Sequence, residues 1–344
     1  MILFHNDYNM TCHEAVIRKM EESTKLQHTG YGVDECCKRA ADLIRSKCAD
    51  TSVDVHFLVG GTQANLVVIN AVLRPHQGAI CAHTGHINVH ETGAVEATGH
   101  KVIALPSDDG KISALQIRDC LTAHNDDPDA EHTVMPKLVY ISNPTELGTT
   151  YSLGELKEIS NVCREFGLYL FVDGARLGYG LTAAGNDVTL ADLARLTDVF
   201  YIGGTKCGAM FGEAVVISNP QLSDGFRYNI KQRGAMLAKG WLLGVQFEAL
   251  FENDLYFDIC ASANRKADKL RAAISAAGYD YLIENTTNQV FPVLPNTLLD
   301  KLSESFTFVR QQKIDSGNTA VRFCTSWATT DEDVQKLCDA ICDD

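Results

Sequence analysis

Short apolar runs that end in glycine or a small polar residue recur along the first two-thirds of the chain, most of them followed by a stretch with helical spacing. VDVHFLVGG reads as a strand that breaks at Gly60-Gly61, and helical spacing resumes at Leu66, Ile69 and Leu73. GAICAH, HKVIALP, KLVYISNPT, YLFVDGAR and DVFYIGGTK are further apolar runs bounded by turn chemistry. SLGELKEISNVCREFG carries a helical pattern with Gly167 placed to end it. Strands alternating with helices predict an α/β fold with a mostly parallel sheet covered on both faces. In such sheets ligands bind beyond the carboxyl ends of the strands.

After about residue 225 the pattern changes. The segment from Asn229 to Gly278 reads as nearly continuous helix. TNQVFPVLP, FTFVRQQ and TAVRFCTSWATT follow, then a final amphipathic helix. Two domains are expected: a large α/β domain over residues 1–245, including the N-terminal segment, and a small C-terminal α+β domain over 246–344.

Composition narrows the class. An apolar content of 45% and a charged content of 22% are those of an ordinary globular protein. The net charge of −14 argues against a nucleic-acid or anionic-membrane partner, since either calls for a basic face. No apolar run is long enough for a membrane helix. MILFHNDYNMTCHEA has neither a basic start nor a long apolar stretch, so no signal peptide is expected. The 12 cysteines are scattered without a C-x-x-C pair, which favours reduced thiols and a cytoplasmic location.

Three features carry chemistry. Gly60-Gly61-Thr62-Gln63-Ala64-Asn65 ends a strand and opens a helix; its free N–H groups suit a phosphate, although Thr62 capping the helix would also explain it. Asp173 ends an apolar strand, so its carboxylate needs a partner: Arg176 in a salt bridge, or a protonated heterocyclic nitrogen. Lys206 stands among Gly203, Gly204 and Gly208, where a desolvated amine becomes nucleophilic. Gly174, Gly178 and Gly180 do not give dinucleotide-binding spacing. A phosphate cup, an aspartate and a lysine, each at a strand end, together match pyridoxal 5'-phosphate.

The chain resembles the threonine aldolase and β-eliminating lyase family, whose members have the fold-type-I architecture of pyridoxal-phosphate enzymes. The resemblance runs nearly end to end, through FHNDY, YGVDE, GGTQAN, HINVHETGA, VDGARL, GGTKCGAMFGEAVV and VRFCTSWATTDED. It implies that Lys206 bonds covalently to the cofactor aldehyde and that Asp173 pairs with its ring nitrogen. Gly61, Thr62 and Gln63 then hold the phosphate, His86 stacks on the ring, and Arg176 and Arg322 bind the substrate carboxylate. His83, His86 and His90 have metal-like spacing, but no ligand set is completed and no metal is expected.

Two departures stand out. SNPTELGTTY offers Thr145 and Glu146 where many aldolases of this family carry a histidine. KQRGAMLAKG differs from the segment that usually sends a cation to a neighbouring subunit's phosphate, leaving Lys231, Arg233 and Lys239 as candidates. The implied reaction is cleavage of a β-hydroxy-α-amino acid such as threonine, allo-threonine or a phenylserine to glycine and an aldehyde. His86 or Glu146 would take the β-hydroxyl proton. The alternatives are β-elimination, transamination or racemisation with the same cofactor, or a non-enzymatic phosphate- or nucleotide-binding protein. The family also implies a homodimer or a dimer of dimers.

Overall fold

The apolar runs of the first two-thirds pair into a single seven-stranded sheet. In the computed structural model, which describes residues 1–342, the strands are β1 (Ile2–Leu3), β2 (Asp54–Leu58), β3 (Gln77–Ala82), β4 (Lys101–Leu105), β5 (Met135–Ser142), β6 (Tyr169–Asp173), β7 (Val199–Gly203), β8 (Glu213–Ile217), β9 (Tyr281–Ile283), β10 (Gln289–Pro295), β11 (Phe306–Thr307), β12 (Val309–Lys313) and β13 (Asn318–Cys324). The large sheet has the order β2-β8-β7-β6-β5-β3-β4. Strands β3 to β7 are mutually parallel, and β8 runs antiparallel to both of its neighbours, β7 and β2.

Every residue of β3, β7 and β8 is buried, as expected of strands covered on both faces. On one face Ile80, Val139, Val172, Phe200 and Val216 pack against the helices Glu35–Cys48, Leu153–Phe166, Leu190–Leu196 and Trp241–Phe251. On the other, Ala79, Leu138, Phe171, Tyr201 and Val215 pack against the helix Gly61–Val72. The Leu153–Phe166 helix has the ends its sequence predicts: Ser152 and Glu155 form a reciprocal capping box, and Gly167 closes it at φ 64°.

A third core joins Leu270, Ile274, Val290, Leu294, Val321, Phe323, Leu337 and Ile341. It lies under the antiparallel sheet β12-β13-β10-β9. The chain start contributes to it: β1 pairs in parallel with β11, and Phe4 is fully buried there.

The expected continuous helix after residue 225 is instead three: Phe226–Gln232, Trp241–Phe251 and Leu255–Ala276. The first break contains Gly234 at φ 70°. At the second, Asn253 and Asp254 both adopt left-handed backbone, at φ 54° and 62°. Asn and Asp tolerate that conformation best among residues with a side chain.

Gly244 marks the closest approach of the Trp241–Phe251 helix to Glu35–Cys48. A Cβ there would lie 2.5 Å from the Cys37 nitrogen and 2.6 Å from its Cα, so backbone would have to move. Gly244→Ala is expected to destabilise the fold by about 1–3 kcal/mol, the usual cost of overpacking. Urea denaturation checks this, and the midpoint should fall without a change in slope.

Candidate active site

Five strand ends meet along one edge of the large sheet. Gly60 and Gly61 follow β2, His86 follows β3, Glu146 follows β5, Asp173 ends β6 and Lys206 follows β7. Because β8 is antiparallel, its first residue, Glu213, arrives at the same edge. All of these line a single cavity of about 330 Å³, together with Tyr8, Thr62, Arg176, Tyr201 and Thr205. A larger recess of about 580 Å³ lies near Asp109 and Glu158. There the Lys111 amine is already paired with Glu155 at 2.6 Å, and the recess offers no comparable convergence of buried groups.

Asp173 is 4% exposed and accepts four hydrogen bonds. Tyr201 Oη (2.5 Å) and the Ala175 N–H (2.9 Å) donate to Oδ1; Tyr140 Oη (2.5 Å) and Asn65 Nδ2 (3.0 Å) donate to Oδ2. Burial pushes its pKa up, but the His86 charge and the tyrosine and backbone donors outweigh this and hold the carboxyl below its ordinary range. The salt bridge to Arg176 that the sequence allows does not form. Arg176 instead grips the fully buried Asp7, Nε to Oδ2 at 2.7 Å and Nη2 to Oδ1 at 2.9 Å, and Asn288 also donates to Asp7.

Lys206 makes no ion pair among the described residues. Burial, helped by the nearby Arg176 charge, lowers its pKa against the opposing pull of Asp7, Asp173 and Glu213. Such an amine is a better nucleophile than a solvated one. Its backbone carbonyl accepts the Tyr179 hydroxyl at 2.6 Å. Beneath it, Glu213 accepts the Gly204 N–H at 2.9 Å and the Thr205 hydroxyl at 2.8 Å.

His86 donates from Nδ1 to Glu91 Oε1 at 2.8 Å, and Asn65 Nδ2 reaches the same oxygen at 2.7 Å. Asn65 thereby links the histidine and its acid to Asp173. Burial opposes a charge on His86, but Glu91 and Asp173 overcome it and raise the pKa. Glu146 Oε1 accepts the Ser142 hydroxyl at 2.6 Å and the His86 N–H at 3.0 Å. Its pKa is raised, chiefly by burial and further by the Asp173 charge.

Gly60 is the N-cap of the Gly61–Val72 helix, and no side chain caps it. The capping by Thr62 that the sequence permits is therefore absent: Thr62 lies inside the helix and is exposed. Gly60, Gly61 and Thr62, at the start of this helix, line the cavity, and a Cβ on Gly60 would touch nothing within 4 Å. Gln63 turns its side chain back to the Val59 N–H at 3.3 Å.

The structure thus gathers Gly61, Thr62, His86, Asp173, Arg176 and Lys206, but it does not bring every expected residue to the cavity. Gln63 is not among the lining residues. Nor is Arg322, on β13, which donates from Nη2 to the His5 carbonyl at 3.1 Å while its buried Nε has no partner. His83 turns Nδ1 to the Ser107 N–H, so the three histidines share no metal geometry. Of the segment 231–239, Arg233 reaches Asn70 and Lys231 lies over the Tyr31 ring. Sequence reasoning missed Asp7, Asn65, Tyr140, Tyr201 and Glu213. For the two tyrosines a signal existed: a phenol inside a fully buried strand must find an acceptor, and β5 and β7 flank β6.

The large sheet, with the half-buried Lys206 and the buried Asp173 lining one cavity at its carboxyl edge, has the architecture of fold-type-I enzymes. A family model described as β-eliminating lyase matches residues 7–296, and the chain belongs to that family. Low-specificity L-threonine aldolases from a Pseudomonas sp. and from Pseudomonas aeruginosa are 31% and 30% identical to it, each match covering 96% of this chain and 94% of the relative. A threonine aldolase structure from Leishmania major superposes with a TM-score of 0.96 at 46% identity, covering 99% of this chain and 98% of that one. An aspartate aminotransferase from Thermus thermophilus shares the fold alone, with a TM-score of 0.73 at 15% identity.

Glu213 generates a pH dependence of stability. Burial pushes its pKa up to about 8, against the Thr205 hydroxyl, the Lys206 charge and the Gly204 N–H. The folded protein therefore keeps this proton at pH values where the unfolded chain, with an ordinary carboxyl near about 4.3, has lost it. Across that window the unfolded state binds fewer protons, so stability falls as pH rises, and the slope ends above about pH 8. Glu213→Gln should flatten this component, seen as urea midpoints that vary less with pH than those of the parent protein.

Proposed function

We propose that the chain is a pyridoxal-phosphate-dependent aldehyde-lyase that cleaves the Cα–Cβ bond of a β-hydroxy-α-amino acid, such as threonine, allo-threonine or a phenylserine, to glycine and an aldehyde. The observation that carries this reading is that Lys206, just after β7, and the buried Asp173, at the end of β6, line one cavity in a chain of the β-eliminating lyase family.

The residues present fit the cofactor. The uncapped helix N-terminus at Gly61, Thr62 and Gln63 suits its phosphate. Asp173 suits a protonated ring nitrogen, Lys206 an aldehyde carbon, and His86 the face of a ring. When bound, pyridoxal phosphate supplies an electron-withdrawing ring that accepts the electron pair of the cleaved bond.

The remaining roles belong to the chain's own groups. Asp7 locks the Arg176 guanidinium in one orientation, and we assign that cation to the substrate carboxylate; Arg322, outside the cavity lining, is proposed as the second on the strength of its unpartnered Nε alone. Fixing the carboxylate would fix which bond of the substrate is presented for cleavage. Glu146 is assigned the β-hydroxyl proton. It lines the cavity, its Oε1 is already held by Ser142 and His86, and its raised pKa makes it a stronger base than an ordinary carboxylate. His86 Nδ1 is committed to Glu91, which leaves it the weaker candidate. We further propose a homodimer or dimer of dimers that completes the exposed side of the phosphate cup near Thr62. A reducing compartment such as the cytoplasm is proposed from the cysteines, all 12 of which are unpaired.

Two measurements test this. Reconstituted protein reduced with borohydride should carry the cofactor mass on the Lys206 peptide, and Lys206→Ala should carry none and lose aldehyde release with threonine. Pyruvate or a keto acid appearing in place of an aldehyde would instead indicate elimination or transamination. Glu146→Gln should still bind the cofactor, yet kcat for aldehyde release should fall by about 10²–10⁴, the range of a lost general base. An unchanged kcat would remove Glu146 from the role.

A further inference from the structure

We infer that His28, Asp34 and Cys36 form a binding site for a divalent cation of the zinc class, separate from the cavity described above. One donor atom from each of the three lies within 4.8 Å of the others. His28 Nδ1 stands 3.9 Å from Cys36 Sγ. With metal–ligand distances of roughly 2.0–2.3 Å, donors of a tetrahedral site stand about 3.5 Å apart, so only a small contraction is needed.

Three features show that these groups are held in readiness. His28 Nε2 lies 3.3 Å from the Ser23 carbonyl, which places the ring N–H there and leaves the Nδ1 lone pair for the cluster. The Trp241 ring stacks on the imidazole at 5.3 Å and 25°, fixing its plane. Asp34 is 3% exposed; its Oδ1 caps the Glu35–Cys48 helix through the Cys37 N–H at 2.9 Å, while its buried Oδ2 has no partner. A buried carboxylate oxygen without a donor is costly, and a cation removes that cost.

The charges balance. Arg39 Nη2 lies 3.4 Å from Cys36 Sγ, but the same guanidinium is bound by both oxygens of Glu248, at 2.7 and 3.0 Å; Lys19, which also reaches Glu248, is matched by Glu252, so two cations face two carboxylates. A divalent ion then meets the Asp34 carboxylate, the Cys36 thiolate and a neutral imidazole. A cysteine thiol carries its proton at neutral pH. Binding therefore breaks the S–H bond, forms the S–metal bond and releases the proton to solvent. Three protein donors leave a fourth position for water. The ion ties the segment before the Glu35–Cys48 helix to the helix itself.

The test uses chelator-stripped protein titrated with Co²⁺. A thiolate-to-cobalt charge-transfer band in the near ultraviolet should saturate at one ion per chain and be displaced by Zn²⁺. It should vanish in Cys36→Ser and in His28→Ala, and persist when the more accessible Cys12, Cys120 and Cys342 are replaced by serine. Asp34→Asn is the sharpest variant, because asparagine caps a helix as well as aspartate does. Affinity there should fall at least tenfold while thermal stability of the metal-free protein is retained. Absence of the band in the parent protein, its survival in Cys36→Ser, or unchanged affinity in Asp34→Asn would each overturn the assignment.

Discussion

A carboxylate kept ionised in the interior is the constraint on which the rest of this site depends. Among the described residues no cation forms an ion pair with Asp173; two phenols, an amide and a backbone N–H complete its shell, with the His86 charge acting on it as well. That arrangement requires β5 and β7 to flank β6 in fixed register and Asn65 to sit one turn into the Gly61–Val72 helix. The charge then acts on its neighbours. Glu146 and Glu213 are both driven towards their protonated forms by burial, with the Asp173 charge adding to it. Burial thus sets the direction for two other acids, and one stable anion reinforces it.

The cations divide in the same way. Arg176 keeps its charge because Asp7 faces it directly, whereas Lys206 is pushed towards the neutral amine by burial and by Arg176. Acid and base functions are separated by environment more than by residue type, so three carboxyls and two cations in one cavity hold different states at one pH.

Much of this was legible in the sequence, for reasons that are local. The strands announced themselves by apolar runs, and the Leu153–Phe166 helix by Ser152, Glu155 and Gly167. Asp173 and Lys206 drew notice because a charge at the end of a buried strand needs an explanation. What was not legible depends on contacts between distant segments. Nothing in FHNDY says that Asp7 will take Arg176 away from Asp173, since the pair is made only when the chain ends close. Nor does GGTQAN reveal that Asn65 spans Glu91 and Asp173. The helical break at Asn253 and Asp254 escaped notice because both residues also occur within helices, and only the packing of the following segment selects the left-handed backbone.

The pairing of β1 with β11 has a bearing on how the molecule is made. Asp7 is fixed through Asn288, and the strand just before it lies against residues 306–307 while the Phe4 carbonyl accepts the Cys324 N–H. A ribosome delivers residue 7 long before these anchors. The nascent chain can assemble its large sheet, its lysine and its aspartate while the clamp on Arg176 still lacks its setting. The setting of the Arg176 guanidinium therefore waits on the synthesis of residues 288–324, and a chain cut before them would carry Lys206 and Asp173 without the anchors that hold Asp7 against Arg176.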